Sequence, residues 1–179
     1  MTLLSDIDKK LPVALGMNCA LFLMFMYLND AAASFSVYFY CGALFVVAPA
    51  LFLGFWSMVF CAASTGFFFE VATPSVPGLT PAAFILASLG VYAVRGKFRS
   101  LDPLGIVSLC WVANAALYLA SCLFVFPVGM ANFGLYLTRV SADFLFSSML
   151  VVLLSNFILR VYRSVFYVFG MAMSIPEDA

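Results

Sequence analysis

The run Leu104-Gly-Ile-Val-Ser-Leu-Cys-Trp-Val-Ala-Asn-Ala-Ala-Leu-Tyr-Leu-Ala-Ser-Cys-Leu-Phe-Val-Phe126 contains no acidic or basic residue. A spanning helix needs roughly 20 predominantly apolar residues to cross bilayer hydrocarbon, and this stretch supplies them without interruption. Comparable blocks lie on either side, over residues 11–28, 35–49, 51–71, 81–94 and 140–159. The second is continuously apolar to Val47 and broken near Pro49, and the fourth opens with Pro81 at a favourable first-turn position. Apolar residues make up 66% of the chain, charged residues only 9%, and the mean hydropathy is +1.15. These blocks are too long and too free of charge for a soluble core. Because every backbone polar group in lipid must be satisfied internally, helices are the expected element. The blocks also exceed the roughly ten-residue alternating strands of a membrane barrel. The expectation is an all-α polytopic membrane protein of six transmembrane helices, forming a single domain over residues 1–179.

The cations set an orientation. With the N-terminus inside, Lys9, Lys10, Arg95, Lys97, Arg99, Arg160 and Arg163 all fall on the cytoplasmic side, and only Arg139 falls outside. Five spans would put Arg160 and Arg163 on the wrong side, so both termini are expected in the cytoplasm. Lys9-Lys10, an apolar run and Ala31-Ala32-Ala33 superficially resemble a cleaved signal peptide. The run is longer than a usual signal core, which favours an uncleaved first span. Phe166 to Met173 continues apolar and aromatic beyond Arg163, as an interfacial helix would. A short tail then ends the chain at Ala179.

Histidine is absent, which removes Ser-His and Cys-His nucleophilic pairs and the commonest transition-metal ligand. The cysteines, Cys19, Cys41, Cys61, Cys110 and Cys122, are scattered through the spans without Cys-x-x-Cys spacing and read as small buried hydrophobes. Neither a metal site nor a cofactor is expected, and a net charge of zero offers no nucleic-acid surface. A membrane enzyme such as a lipid transferase would need clustered acid-base groups that the sequence lacks.

Polar groups inside apolar spans are costly and mark protein interiors or water paths. Glu70 closes the series Gly54, Met58, Ala62, Gly66, Glu70, whose i, i+4 spacing puts small residues and one carboxylate on one helix face. Two readings stand side by side: Glu70 caps a packing seam or receives a partner group, or it is a carboxylate resting at the interface. Asp143 lies four residues after Arg139, suited to an ion pair or to the positive end of the sixth helix. Asn18, Asn114 and Asn156 lie deeper. Helix–helix hydrogen bonding is the first explanation for each, and substrate binding the second. Arg95-Gly-Lys-Phe-Arg99 is a basic loop that sets topology or touches anionic lipid. Phe67, Phe68 and Phe69 beside Glu70 mark the outer interface.

The run Gly66-Phe-Phe-Phe-Glu70, followed eight residues later by Gly78-Leu79, resembles the central signature of the rod shape-determining protein MreD family. That family shows Gly-x-x-x-Asp at the end of its third helix, then an irregular turn, a Gly and a fourth apolar helix ending in a basic segment. Here Glu70 stands for the Asp, one methylene longer. Asn114 falls where the family often carries a polar residue, and Arg160-Val-Tyr-Arg163 is similar to its closing segment. The layout match covers about residues 54–163, with identity at a handful of positions.

The resemblance implies a non-enzymatic scaffold in the bacterial inner membrane. It would bind an MreC-like protein, the actin-like MreB filament, a peptidoglycan synthase and membrane lipid to direct lateral wall synthesis. Gly54, Met58, Ala62, Gly66, Glu70, Gly78 and the loop from Pro74 are the expected partner contacts. The family is also similar in architecture to substrate-binding subunits of energy-coupling-factor transporters. The alternative is therefore a vitamin-type binding subunit, with Asn114, Asn156 and Trp111 lining its pocket. A sensory module separated from an output domain is a further class.

Overall fold

In the computed structural model, residues 9–72, 77–98, 103–124 and 133–171 are described. Among them the chain is all-α: α1 (Leu11–Ala33), α2 (Gly42–Phe52), α3 (Phe55–Ala72), α4 (Leu79–Val94), α5 (Pro103–Phe124) and α6 (Phe133–Val168), with a 3-10 turn over Arg95–Phe98. Four of them, α1, α3, α5 and α6, are long and apolar enough to cross a membrane, while α2 and α4 are shorter. Expectations about Thr73 to Ser75, Arg99, the loop from Pro127 to Asn132 and the final tail concern positions outside the described residues.

The second block departs from a simple helix. Ser36 takes a positive φ of 56°, and Val37 to Cys41 run as irregular, non-helical chain before α2 begins at Gly42. The 11 residues of α2 rise about 16 Å, about half of what a spanning helix needs.

Pro49 is not the break, contrary to the sequence reading. It sits inside α2, and the chain turns instead at Leu53 (φ −98°, ψ 157°) and Gly54. All 11 residues of α2 are buried, because α1, α3, α4, α5 and α6 all pack around it. The apolar core follows this axis: Phe45 meets Phe69 edge to face at 4.9 Å, and Phe69 meets Phe84 at 5.2 Å.

A second departure lies in α6. Its 36 residues extend about 54 Å and pass through Arg160 and Arg163 to Val168 without a break. Residue 159 is therefore not its end, and Phe166 does not open a separate interfacial helix. The physical reason is packing. The Tyr162 hydroxyl donates to Asn18, and Phe166 lies edge-on to Phe52, 6.1 Å between centroids, so the last turns dock on the core.

The tightest approach is between α3 and α4. A Cβ added at Gly66 would lie 2.5 Å from the Pro81 Cα and 2.9 Å from its nitrogen, both backbone atoms that cannot yield cheaply. At Gly90 an added Cβ meets nothing within 4 Å. Gly66→Ala should cost about 1–3 kcal/mol by overpacking, whereas Gly90→Ala should leave stability unchanged or raise it. Thermal unfolding of the two variants in one detergent checks this; equal melting temperatures would contradict the seam.

Candidate functional site

Non-helical backbone inside an apolar bundle needs a partner for each N–H and C=O, and that requirement organises the polar residues here. The Tyr38 N–H donates to Asp143 Oδ1 at 3.0 Å. Asn29 brackets the next residue, accepting from the Phe39 N–H at 2.7 Å and donating to its carbonyl at 3.1 Å. The Tyr40 N–H donates to Ser147 Oγ at 2.8 Å. Asn114 then clamps the start of α2: its Nδ2 donates to the Tyr40 carbonyl at 3.0 Å and its Oδ1 accepts from the Ala43 N–H at 3.3 Å.

Asn18 solves the problem that Pro49 creates. Proline has no N–H, so the carbonyl four residues earlier, at Phe45, loses its helical donor. Asn18 Nδ2 donates to that carbonyl at 3.1 Å and also lies 2.8 Å from Thr65 Oγ1, while its oxygen accepts from Tyr162. Where α2 ends, Arg95 Nη1 donates to the Leu53 carbonyl at 3.2 Å. The same guanidinium stacks 3.7 Å from the centre of the Tyr92 ring, and Nη2 donates to the Tyr92 hydroxyl at 2.9 Å. Arg95 is fully buried. A cation there also complements the negative end of the α2 dipole.

Glu70 closes the α3–α4 hairpin. Both of its carboxylate oxygens lie 2.9 Å from the Gly78 nitrogen and accept its N–H. Gly78, at φ 83°, occupies the left-handed region that glycine reaches without strain, and it begins α4. The Glu70–Gly78 bond lies at the exposed end of the hairpin. Met58, Ala62 and Gly66 are buried within the bundle, and Gly66 is held against Pro81. The chain itself packs against this part of the face, while Glu70 is half-buried and Gly78 exposed. Gly54 lies at the α2–α3 break, partly exposed.

Asn18, Asn114 and Asp143 thus converge on one segment, and Asn156 does not join them. It is half-buried on α6 and makes no hydrogen bond among the described residues. Asp143 serves Tyr38 rather than Arg139, which is exposed. Asn29, Ser147, Thr65, Tyr162 and the burial of Arg95 escaped the sequence reading. Pro49 carried the signal for Asn18, since an apolar run with an internal proline needs a spare donor. Phe69 is buried while Phe67 and Phe68 are exposed.

Cys41, Cys61 and Cys110 are buried thiols, Cys19 is exposed, and no group of three metal-ligating side chains occurs among the described residues. Two concavities among the described residues lie near these groups. A crevice of about 10 Å³, enough for one water, lies among Phe22, Phe25, Asn29 and Tyr38. A groove of about 340 Å³ lies between α5 and α6, lined by Trp111, Leu145, Phe146, Ser148, Met149 and Val152.

The fold and this polar belt define a class: an apolar helical bundle, fit for a membrane, wrapped around one discontinuous element. No family model, curated protein or solved structure matches the chain. Replacing Asn114 with Leu strands the Tyr40 carbonyl and the Ala43 N–H, at a cost of about 2 kcal/mol or more. Hydrogen exchange at residues 38–43 should accelerate in that variant while α3 and α4 remain protected; unchanged exchange would refute the clamp.

Proposed function

We propose that this chain is a non-enzymatic scaffold of the bacterial inner membrane, MreD-like, that supports cell shape and lateral peptidoglycan synthesis by binding partner membrane proteins. One observation carries the reading. The three positions on which the resemblance rests act as one device: Gly66 admits Pro81, and the Glu70 carboxylate holds the Gly78 N–H. A signature that builds a hairpin fits a family whose work is to present helices.

In this reading residues 37–52 and α4 complete six crossings. Lys10, Arg95 and Arg163 then share the cytoplasmic end, as the excess of positive charge requires. The partners are an MreC-like protein, the actin-like MreB filament and a peptidoglycan synthase, with membrane lipid around them. Contact falls on the outer helix faces, because the Gly66 seam is filled by α4. The transporter alternative is weakened by Asn114, whose amide is fully buried and bonded to the backbone at both ends.

Two measurements test the proposal. Removing the gene should make its rod-shaped host round and redirect wall-precursor incorporation; a strain that keeps its cell width and incorporation pattern would refute the role. In the same strain Glu70→Asp should restore shape and Glu70→Ala should not, because only the carboxylate closes the hairpin. An alkaline phosphatase fused to the carboxyl end should be inactive, and activity there would refute the orientation.

A further inference from the structure

The last turns of α6 carry polar groups that the fold does not use. Arg160, Arg163, Ser164 and Tyr167 follow one another at i, i+3, i+4 and i+7, which puts them on one side of the helix. Arg160, Ser164 and Tyr167 are exposed, and Arg163 is half-buried. None of the four side chains has an ion-pair or hydrogen-bond partner among the described residues. The turn that carries Tyr167 is nevertheless well held. Gly170, at φ 66°, caps it: the Gly170 N–H donates to the Tyr167 carbonyl at 2.9 Å and the Met171 N–H to the Phe166 carbonyl at 3.0 Å.

Depth decides what these groups need. On the membrane-spanning reading, Lys10 and Arg95 mark the inner face. Phe166 packs on Phe52, beside Leu53, whose carbonyl Arg95 holds, so α6 reaches the level of Arg95 near Phe166. Tyr162 meets Asn18, which lies about 12 Å along α1 from Lys10. Arg160 comes about 9 Å before Phe166 along the helix, and is therefore inside that level while exposed on the surface of the bundle. Topology and the helix dipole account for cations near this end. They do not account for two guanidiniums one turn apart beside lipid, which repel each other unless an anion lies between them.

The residues nearer mid-bundle complete the pattern. Leu153 and Phe157 are 69% and 62% exposed and precede Arg160 on the same side of the helix. Toward the inner face that side runs apolar, then cationic, then hydroxyl-bearing. A phospholipid presents the complementary order of acyl chain, phosphate and headgroup. We infer that this side of α6 binds an anionic phospholipid. Its phosphate sits between Arg160 and Arg163, Ser164 and Tyr167 donate to phosphate or headgroup oxygens, and an acyl chain lies along Leu153 and Phe157. The site rests on the membrane part of the reading above and not on its protein partners.

Native mass spectrometry of the full chain in detergent micelles tests it, with phosphatidylglycerol, phosphatidylcholine and inorganic phosphate titrated in turn. Phosphatidylglycerol should bind at about tenfold lower concentration than phosphatidylcholine. Inorganic phosphate at the same concentrations should not displace it. Replacing both arginines, Arg160→Gln with Arg163→Gln, should abolish the preference, and Tyr167→Phe should reduce it, with melting temperatures unchanged. Arg139→Gln, near the other end of α6, should keep it. In the native membrane, a photo-crosslinking group introduced at Ser164 should acquire the mass of a phospholipid.

Equal affinity for the two lipids would overturn the proposal, and so would a preference that survives loss of both arginines. Displacement by inorganic phosphate would overturn it in favour of a free-anion site. A crosslink from position 164 to protein would overturn it in favour of a partner chain. The lipid titration contains no elongation protein, so its failure and the failure of the cell-shape measurement are separate results.

Discussion

A peptide group without a hydrogen bond is intolerable in a dry interior, and the architecture follows from that constraint. Residues 40–53 are buried in the bundle and Val37 to Phe39 lead into it, yet residues 37–41 are not helical and α2 contains a proline. The orphaned groups are met by side chains from three of the four long helices: Asn18 and Asn29 from α1, Asn114 from α5, and Asp143 and Ser147 from α6. Arg95, at the end of α4, seals the far end. Apolar packing holds the remainder, but the polar belt fixes which helix lies where, because each clamp fits one backbone position.

This explains why Asn rather than Ser or Gln dominates the belt. An amide offers a donor and an acceptor together, so Asn29 and Asn114 each bind a carbonyl and an N–H at once. A hydroxyl rotor satisfies one neighbour reliably, and Ser147 is used where one N–H is pending. The Glu70 carboxylate follows a related logic at the hairpin, offering two acceptors to a single N–H whose direction is set by a left-handed glycine.

Much of this was legible in the sequence, and the failures have physical causes. Long charge-free runs specify helices directly, so α1, α3 and α5 fall close to their expected places, while α6 runs well past its expected bounds at both ends. The 35–49 block misled because hydropathy reports burial and is silent about backbone conformation; an irregular segment and a helix of equal apolarity read alike. Asn18, Asn114 and Asp143 stood out as polar anomalies, but their common target could not be seen, since it lies 27 to 105 residues away along the chain. Arg95 read as a loop cation because its neighbours in sequence are polar. Only the three-dimensional end of α2 reveals that its guanidinium is needed inside. The small residues at 62 and 66 have the same limit: they signal close approach without saying whose helix approaches, and in this chain it is α4 that meets Gly66.

The dependence of residues 38–40 on distant acceptors imposes a schedule on biosynthesis. Tyr38 and Tyr40 leave the ribosome 105 and 107 residues ahead of Asp143 and Ser147. At typical elongation rates that gap is about 5–20 s. For all of that time their N–H groups lack the partners they hold in the finished bundle, so the amino-terminal third can settle into its final conformation only after the carboxyl-terminal third has been made.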